Sequence, residues 1–360
     1  MHPSGTSLSL RPAHLPHYVA LITFVVIVFT SFYPFTGWAY SGRPLLEFLT
    51  YAWPYYFRLF DNIVNYLVYV PYGFALALTL KPRWMGWLLA LLLSTLTSFS
   101  VEFGQQFLPE RVASNLDIAY NLAGAATGAT LAISPLFRRV WHRVWQWRHR
   151  YFSPAAAADY GLVILVVWFL TQLNPAVPLF GVVIYPGGLP QPYVSPLENP
   201  LLFLWLIEAG GAMLNLTATL LFATAFLRDR RYIARTILTV LVLAFFLKIV
   251  AAGMLLKPIA FFEWINPSVM AGLAAGLFLV WLFTRFASRG QAVGALAAVG
   301  AAQGVAALWP LAPEAGEALR YFRWSYGHLE NMSALVEFLS RLWPWAATLC
   351  LIFFLWETRD

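Results

Sequence analysis

Apolar residues run along this chain in blocks of about twenty, separated by short stretches rich in proline, arginine or polar side chains. An α-helix needs about 20 mostly apolar residues to cross the hydrocarbon core of a bilayer. Ten blocks reach or approach that length: roughly 17–36, 60–80, 84–105, 115–134, 159–174, 200–227, 236–256, 267–286, 291–311 and 335–357. The pattern predicts an all-α fold, a polytopic transmembrane helix bundle of about ten spans. The fifth block is short and the ninth is rich in Gly and Ala, so each also reads as a partial or tilted helix.

The pattern also repeats. YVALITFVVIVFTSFYP (18–34) resembles YGLVILVVWFLTQLNP (160–175), Asn65 in the second block has a counterpart in Asn215 in the sixth, and AGAATG (123–128) matches AGLAAG (271–276). Two tandem four-helix units followed by two extra helices explain all three matches. The expected domains are 1–158, with a basic linker at its end, and 159–360.

Composition supports the membrane reading. Of 360 residues, 60% are hydrophobic and 11% charged, and the mean hydropathy is +0.67; a soluble chain carries about 25% charged residues. Sixteen Trp and seventeen Tyr suit aromatic belts at two interfaces. The single cysteine, Cys350, lies in the last apolar block, so no intrachain disulfide can form. The first block ends in SFYPFTGWAY with no small-residue cleavage site, and reads as a retained helix.

The net charge of +7 would suggest nucleic acid for a soluble protein. Here its distribution gives another explanation. With the N-terminus inside, 15 Lys and Arg fall on the cytoplasmic side and 7 on the other, with Lys248 inside a span. The asymmetry predicts both termini in the cytoplasm. RRVWHRVWQWRHRYF (138–152) then reads as an interfacial helix on anionic lipid, and no nucleic-acid partner is expected.

Polar chemistry concentrates in three blocks. Asp61 and Asn65 stand four apart near the outer end of the second, with Arg58 one turn earlier and a Pro71-Tyr72-Gly73 break further on. Glu102 and Gln106 stand four apart at the end of the third, beside Gln105. Arg111, in the loop that follows, is placed to reach back to a carboxylate. Asp117 and Asn121 stand four apart at the start of the fourth, where the helix dipole favours a negative charge. Ser114 or Asn115 is placed to cap that helix, and Gly124 and Gly128 continue the same face at a spacing that allows close helix approach. Ionisable groups near a bilayer are costly unless they face protein or water. Three acid or amide pairs at one membrane level therefore point to a substrate or ion site, with a satisfied, helix-orienting polar cluster as the bland explanation. A carboxylate pair can supply acid and base. No metal-ligand set, nucleophile motif, phosphate loop or dinucleotide fingerprint is visible, and no cofactor is expected.

These residues carry a resemblance. DNIVNYLVYVPYG (61–73), followed by Glu102, Gln106, Arg111, Asp117, Asn121 and Gly124, resembles the VanZ-like family over about 17–135. That family shows an Asn and P-x-G in one helix, then E-x-x-x-Q, an arginine loop and D-x-x-x-N-x-x-G. The resemblance implies a bacterial plasma-membrane protein at the cell envelope, in a family linked to low-level glycopeptide resistance and found near exopolysaccharide assembly genes. It implies no settled reaction.

The expectation is an outward-facing site for the polar head of an envelope lipid-linked glycan or glycolipid. Arg111 and Arg58 would hold phosphate or carboxylate. Glu102 and Asp117 would be the acid/base or hydrogen-bonding pair, with Gln106, Asn121, Asn65 and Asp61 around them. Any reaction would be hydrolysis or group transfer on a glycan or lipid head. A transporter or lipid translocator and a non-catalytic scaffold are the alternatives. In the second half, Glu208 and Asn215 share a face, and Lys248 is placed to pair with Glu208 or with a carboxylate of the first half. Residues 312–343 are expected outside, as a surface helix pair.

Overall fold

The computed structural model describes residues 15–33, 35–40, 42, 44–53, 59–109, 111–173, 179–180, 195–262, 264–309 and 327–359. Among them lie eleven α-helices: α1 (Leu15–Phe32), α2 (Leu59–Ala77), α3 (Arg83–Gln105), α4 (Asn115–Ile133), α5 (Pro135–Tyr151), α6 (Ala156–Thr171), α7 (Pro200–Ala225), α8 (Ile233–Leu255), α9 (Pro267–Phe283), α10 (Ser288–Leu308) and α11 (Gly327–Glu357). The described residues form no sheet; Phe152 and Leu227 make an isolated bridge. Five helical segments are long and apolar enough to cross a membrane: Arg83–Gln105, Pro200–Ala225, Arg230–Leu255, Ser288–Leu308 and Phe338–Glu357. Val19–Phe32, Ala156–Thr171 and Pro267–Phe283 are shorter apolar helices. The protein is a membrane-embedded helical bundle. α2 and α4 fall outside both sets, and they are the helices that carry Asp61, Asn62, Asn65, Asp117 and Asn121.

The chain divides into two compact units, Met1–Trp145 and Gln146–Asp360. In the first, α2 and α4 touch backbone to backbone. A methyl group on Gly124 would run into the carbonyl oxygen of Tyr66, one on Gly128 into that of Val70, and one on Gly73 into that of Ala125. The core around this contact is built mostly of alanine and tyrosine: Ala75, Ala77, Ala90, Ala125, Ala129 and Ala132 with Tyr69 and Tyr72. Small residues let helices approach closely where lipid supplies no hydrophobic drive between them. Pro71 sits inside α2, and the helix continues past it to Ala77.

In the second unit α7 is central: Leu216 through Ala225 are all buried. Phe222 meets Trp343, and Phe226 meets Phe354, both on α11. α9 lies on α7 as α4 lies on α2: a methyl on Gly272 would strike the carbonyl of Ala209, and one on Gly276 would crowd that of Met213. One end of this unit is tied together through the backbone. Ser153 donates to Phe226, Arg228 to Tyr151, and the Arg230 guanidinium to the carbonyls of Thr284 and Arg285 at 2.7 and 2.6 Å. Buried Arg148 pairs with Asp159 at 2.6 Å.

Residues 327–343, expected within a surface helix pair, form the first part of α11, one 31-residue helix that contains the last apolar block. No glycine or proline interrupts 328–343, so nothing local stops the helix. Residues 312–326 lie outside the described residues.

Candidate functional site

The site is built from the end of α3, the start of α4 and the first half of α2. On α3, Ser94, Ser98 and Glu102 recur every four residues and are buried along one face. A carboxylate at such a position is costly unless it is hydrogen-bonded. The Oε2 of Glu102 accepts a hydrogen bond from the backbone N–H of Ser114 at 2.8 Å. Ser114 is the N-cap of α4, and its Oγ accepts from the N–H of Leu116 at 3.1 Å. Glu102 and Ser114 together thus occupy two donors at the chain's entrance to α4, which fixes where that helix begins.

Asp117 stands in the first turn of α4, half-buried and close enough to Glu102 to repel it electrostatically. One turn further on, Asn121 is buried, and its Nδ2 donates to the Oγ of Ser98 at 2.9 Å. From α2, the hydroxyl of buried Tyr69 lies beside Ser98 and within reach of the charge on Glu102. Tyr72 and Thr97 share a hydrogen bond at 3.1 Å, one layer deeper. Three helices therefore meet at a layer in which Tyr69, Ser98, Glu102 and Asn121 are buried and Asp117 is half-buried. The Oδ1 of Asn121, the Oγ of Ser94 and the Nδ2 of Asn62 are buried without a hydrogen-bond partner. Each such orphan costs about 1–3 kcal/mol, a cost that water or the polar groups of a ligand would relieve.

Asp61 and Asn65 are half-buried on α2, while Asn62 between them is the fully buried amide. Gln106 closes α3, and its Nε2 turns back to the carbonyl of Phe103 at 3.3 Å. The Nη2 of Arg111 donates to the carbonyl of Tyr33 at 3.4 Å, and Gln105 donates to that of Ser31 at 3.3 Å. With Gly104 pressed on the ring of Phe32, these contacts join the end of α3 and its loop to the end of α1. Arg58 lies outside the described residues.

The segment after α1 covers the same end of the unit. Ala39 donates to the carbonyl of Phe107 at 2.7 Å, Asn115 donates to that of Tyr51 at 2.8 Å, and buried Phe48 packs near Phe99. Ser98, Tyr69 and Asn62 are the site residues that pattern reading missed. A serine four residues before Glu102 on the same face was the available signal for the first. The other two depend on which side of α2 meets α4.

In the second unit, Glu208 takes hydrogen bonds from Asn266 Nδ2 at 2.6 Å and from the hydroxyl of Ser268. Asn266 also caps α9. Lys248 is buried on α8, and Asn215 is half-buried on α7. Among the described residues, no group of three or more His, Cys, Asp or Glu side chains is placed to hold a metal ion.

Residues 17–138, which span α1 to α4 and the start of α5, match the model of the VanZ/LLP1 family. The N-terminal region of the protein is VanZ-like. No curated protein and no solved structure matches the chain.

Proposed function

We propose that the VanZ-like unit is a receptor, at the outer face of a bacterial plasma membrane, for the polar head of an envelope lipid: a lipid-linked glycan or a glycolipid. The observation that carries this reading is the layer of buried Tyr69, Ser98, Glu102 and Asn121 with half-buried Asp117, and the orphaned polar atoms at Asn121, Ser94 and Asn62 beside it. A cluster that served only to orient helices would satisfy its own donors and acceptors. This one has more acceptors and donors than it uses. Glu102 and Asp117 supply an acid/base or hydrogen-bonding pair, and Asn121 orients the head group from below. In this reading Gln106, Asn65 and Asp61 would flank it, and Arg111 and Arg58 would hold a phosphate or carboxylate. Hydrolysis or group transfer on the head group is the reaction class that such a pair serves. Glycopeptide resistance and exopolysaccharide assembly are the settings that the family likeness suggests.

The wider topology belongs to the same proposal: about ten spans, two tandem four-helix units, two added helices and both termini inside. Support comes from the glycine contacts. In each unit, two glycines four residues apart on a later helix press on two carbonyls four residues apart on an earlier one. Asn65 and Glu208 each precede the first of those carbonyls. In the second unit Glu208 is occupied by Asn266 and Ser268, so its polar cluster is closed.

Repeated units also favour a second reading, a lipid translocator, whose repeats move against each other about a site. Alanine replacements separate the readings. A receptor loses its envelope phenotype at normal protein levels with Asp117→Ala and retains it with Lys248→Ala. A translocator loses it with both and shows lipid flux in vesicles. A scaffold loses folded protein instead.

A further inference from the structure

The second unit carries a feature that the head-group site does not use. At the end where α9 and α11 finish and α10 begins, a cavity of about 680 Å³ opens to the surface. Its walls include Phe286, Val293, Ile352 and Trp356, each more than half exposed. Arg289 and Arg359 also line it. Neither guanidinium has a hydrogen bond or ion pair among the described residues. Three acids near this end, all among the described residues, are engaged elsewhere. Glu357, next to the groove in sequence, is turned onto the start of α6, where it accepts from the N–H groups of Ala156 and Ala157 at 2.8 and 3.1 Å. Asp229 pairs with Arg231 at 2.9 Å, and Asp159 with Arg148. Among the described residues, no acidic side chain lines the groove.

An apolar slot on a membrane protein meets acyl chains, and two uncommitted guanidiniums at its lining match a phosphate, which arginine binds through paired N–H donors. A head group that adds an ammonium would find two like charges and no carboxylate. We propose that this groove binds a phospholipid with an anionic head group, its phosphate between Arg289 and Arg359 and an acyl chain against Phe286, Val293, Ile352 and Trp356. The first turn of α10, where Gly290 also lines the groove, adds backbone N–H groups on the same side.

The test uses the full chain reconstituted in zwitterionic bilayers that contain either dibromo-phosphatidylglycerol or dibromo-phosphatidylethanolamine. Bromine quenches tryptophan on contact, and the difference between wild type and Trp356→Phe isolates Trp356 from the other fifteen. Half-maximal quenching of Trp356 is expected at a mole fraction of phosphatidylglycerol on the order of ten-fold below that of phosphatidylethanolamine. The preference is expected to vanish in Arg289→Gln/Arg359→Gln and to persist in Arg289→Lys/Arg359→Lys. Equal quenching by both lipids in the wild type overturns the proposal whether or not the glutamine variant folds. So does a preference that survives the glutamine changes. Quenching by neither lipid also overturns it.

Discussion

Glu102 has a structural task at the start of α4, the head-group proposal gives it a chemical one, and two substitutions separate them. Glu102→Gln keeps an oxygen for the N–H of Ser114, so the start of α4 should hold and the folded protein should melt within a degree or two of wild type (of order 0.5 kcal/mol or less). Ligand binding should still fall, because an amide cannot act as an acid or base and does not offer a head group the hydrogen-bonding pattern of a carboxyl group. Glu102→Leu removes the acceptor and orphans a buried N–H, which should destabilise the first unit by about 1–3 kcal/mol. Thermal unfolding in detergent reads the difference; equal losses in both variants would contradict the two-task account. Asn62 gives the opposite case. Its Nδ2 is buried without a partner, so Asn62→Leu should leave stability unchanged or raise it slightly. A melting temperature that drops sharply would show that Asn62 holds the fold rather than the site. At this scale the sequence was partly legible. The costly charges at 102 and 117 and the amide at 121 stood out against apolar surroundings, and they lie together in the same layer. Ser98 and Tyr69 did not stand out, because hydroxyl residues are ordinary in membrane helices. For Arg111, a long side chain in a loop with several carbonyls and carboxylates within reach, the contact of its Nη2 with the carbonyl of Tyr33 was not readable.

The helices were legible as elements because the apolar blocks are long and their breaks are sharp. Nine of the ten blocks coincide with helices to within a few residues, the tenth lies inside α11, and the basic stretch after the fourth is helical as well. The start of α11 was not, since residues before 335 mix charges and aromatics without an apolar period. The spacing of Gly124 and Gly128 announced a close contact, while the identity of the partner helix, α2, rests on non-local packing that no local pattern encodes. That contact makes a prediction. Gly124→Ala or Gly128→Ala forces backbone apart at Tyr66 or Val70 and should cost about 1–3 kcal/mol, as overpacking does. Gly210→Ala and Gly300→Ala are the controls, because a methyl at either meets nothing within 4 Å. They should be neutral or mildly stabilising, since alanine is the better helix former. Similar melting temperatures for all four variants would remove the helix contact from the account.

At the scale of the whole molecule, the excess of arginine at alternate ends predicts sidedness. Val112→Cys and Leu197→Cys, both at exposed positions, should react with a membrane-impermeant maleimide on intact cells. Leu80→Cys and Phe286→Cys should react only after the membrane is opened. Cys350 is buried, so the wild type gives a low background. Labelling in the reverse sense would place the polar site in the cytoplasm and would end any role in binding an extracytoplasmic head group.

In the proposed function, side chains from α2, α3 and α4 form a receptor for a lipid head group. The most direct test of this is mass spectrometry of the lipids that co-purify with the full chain and with Asp117→Asn, which keeps size and shape while removing one charge. The account predicts that a glycan-bearing or otherwise polar-headed lipid travels with the wild type and is depleted from the variant, at equal yields of folded protein. Identical lipid profiles would contradict it.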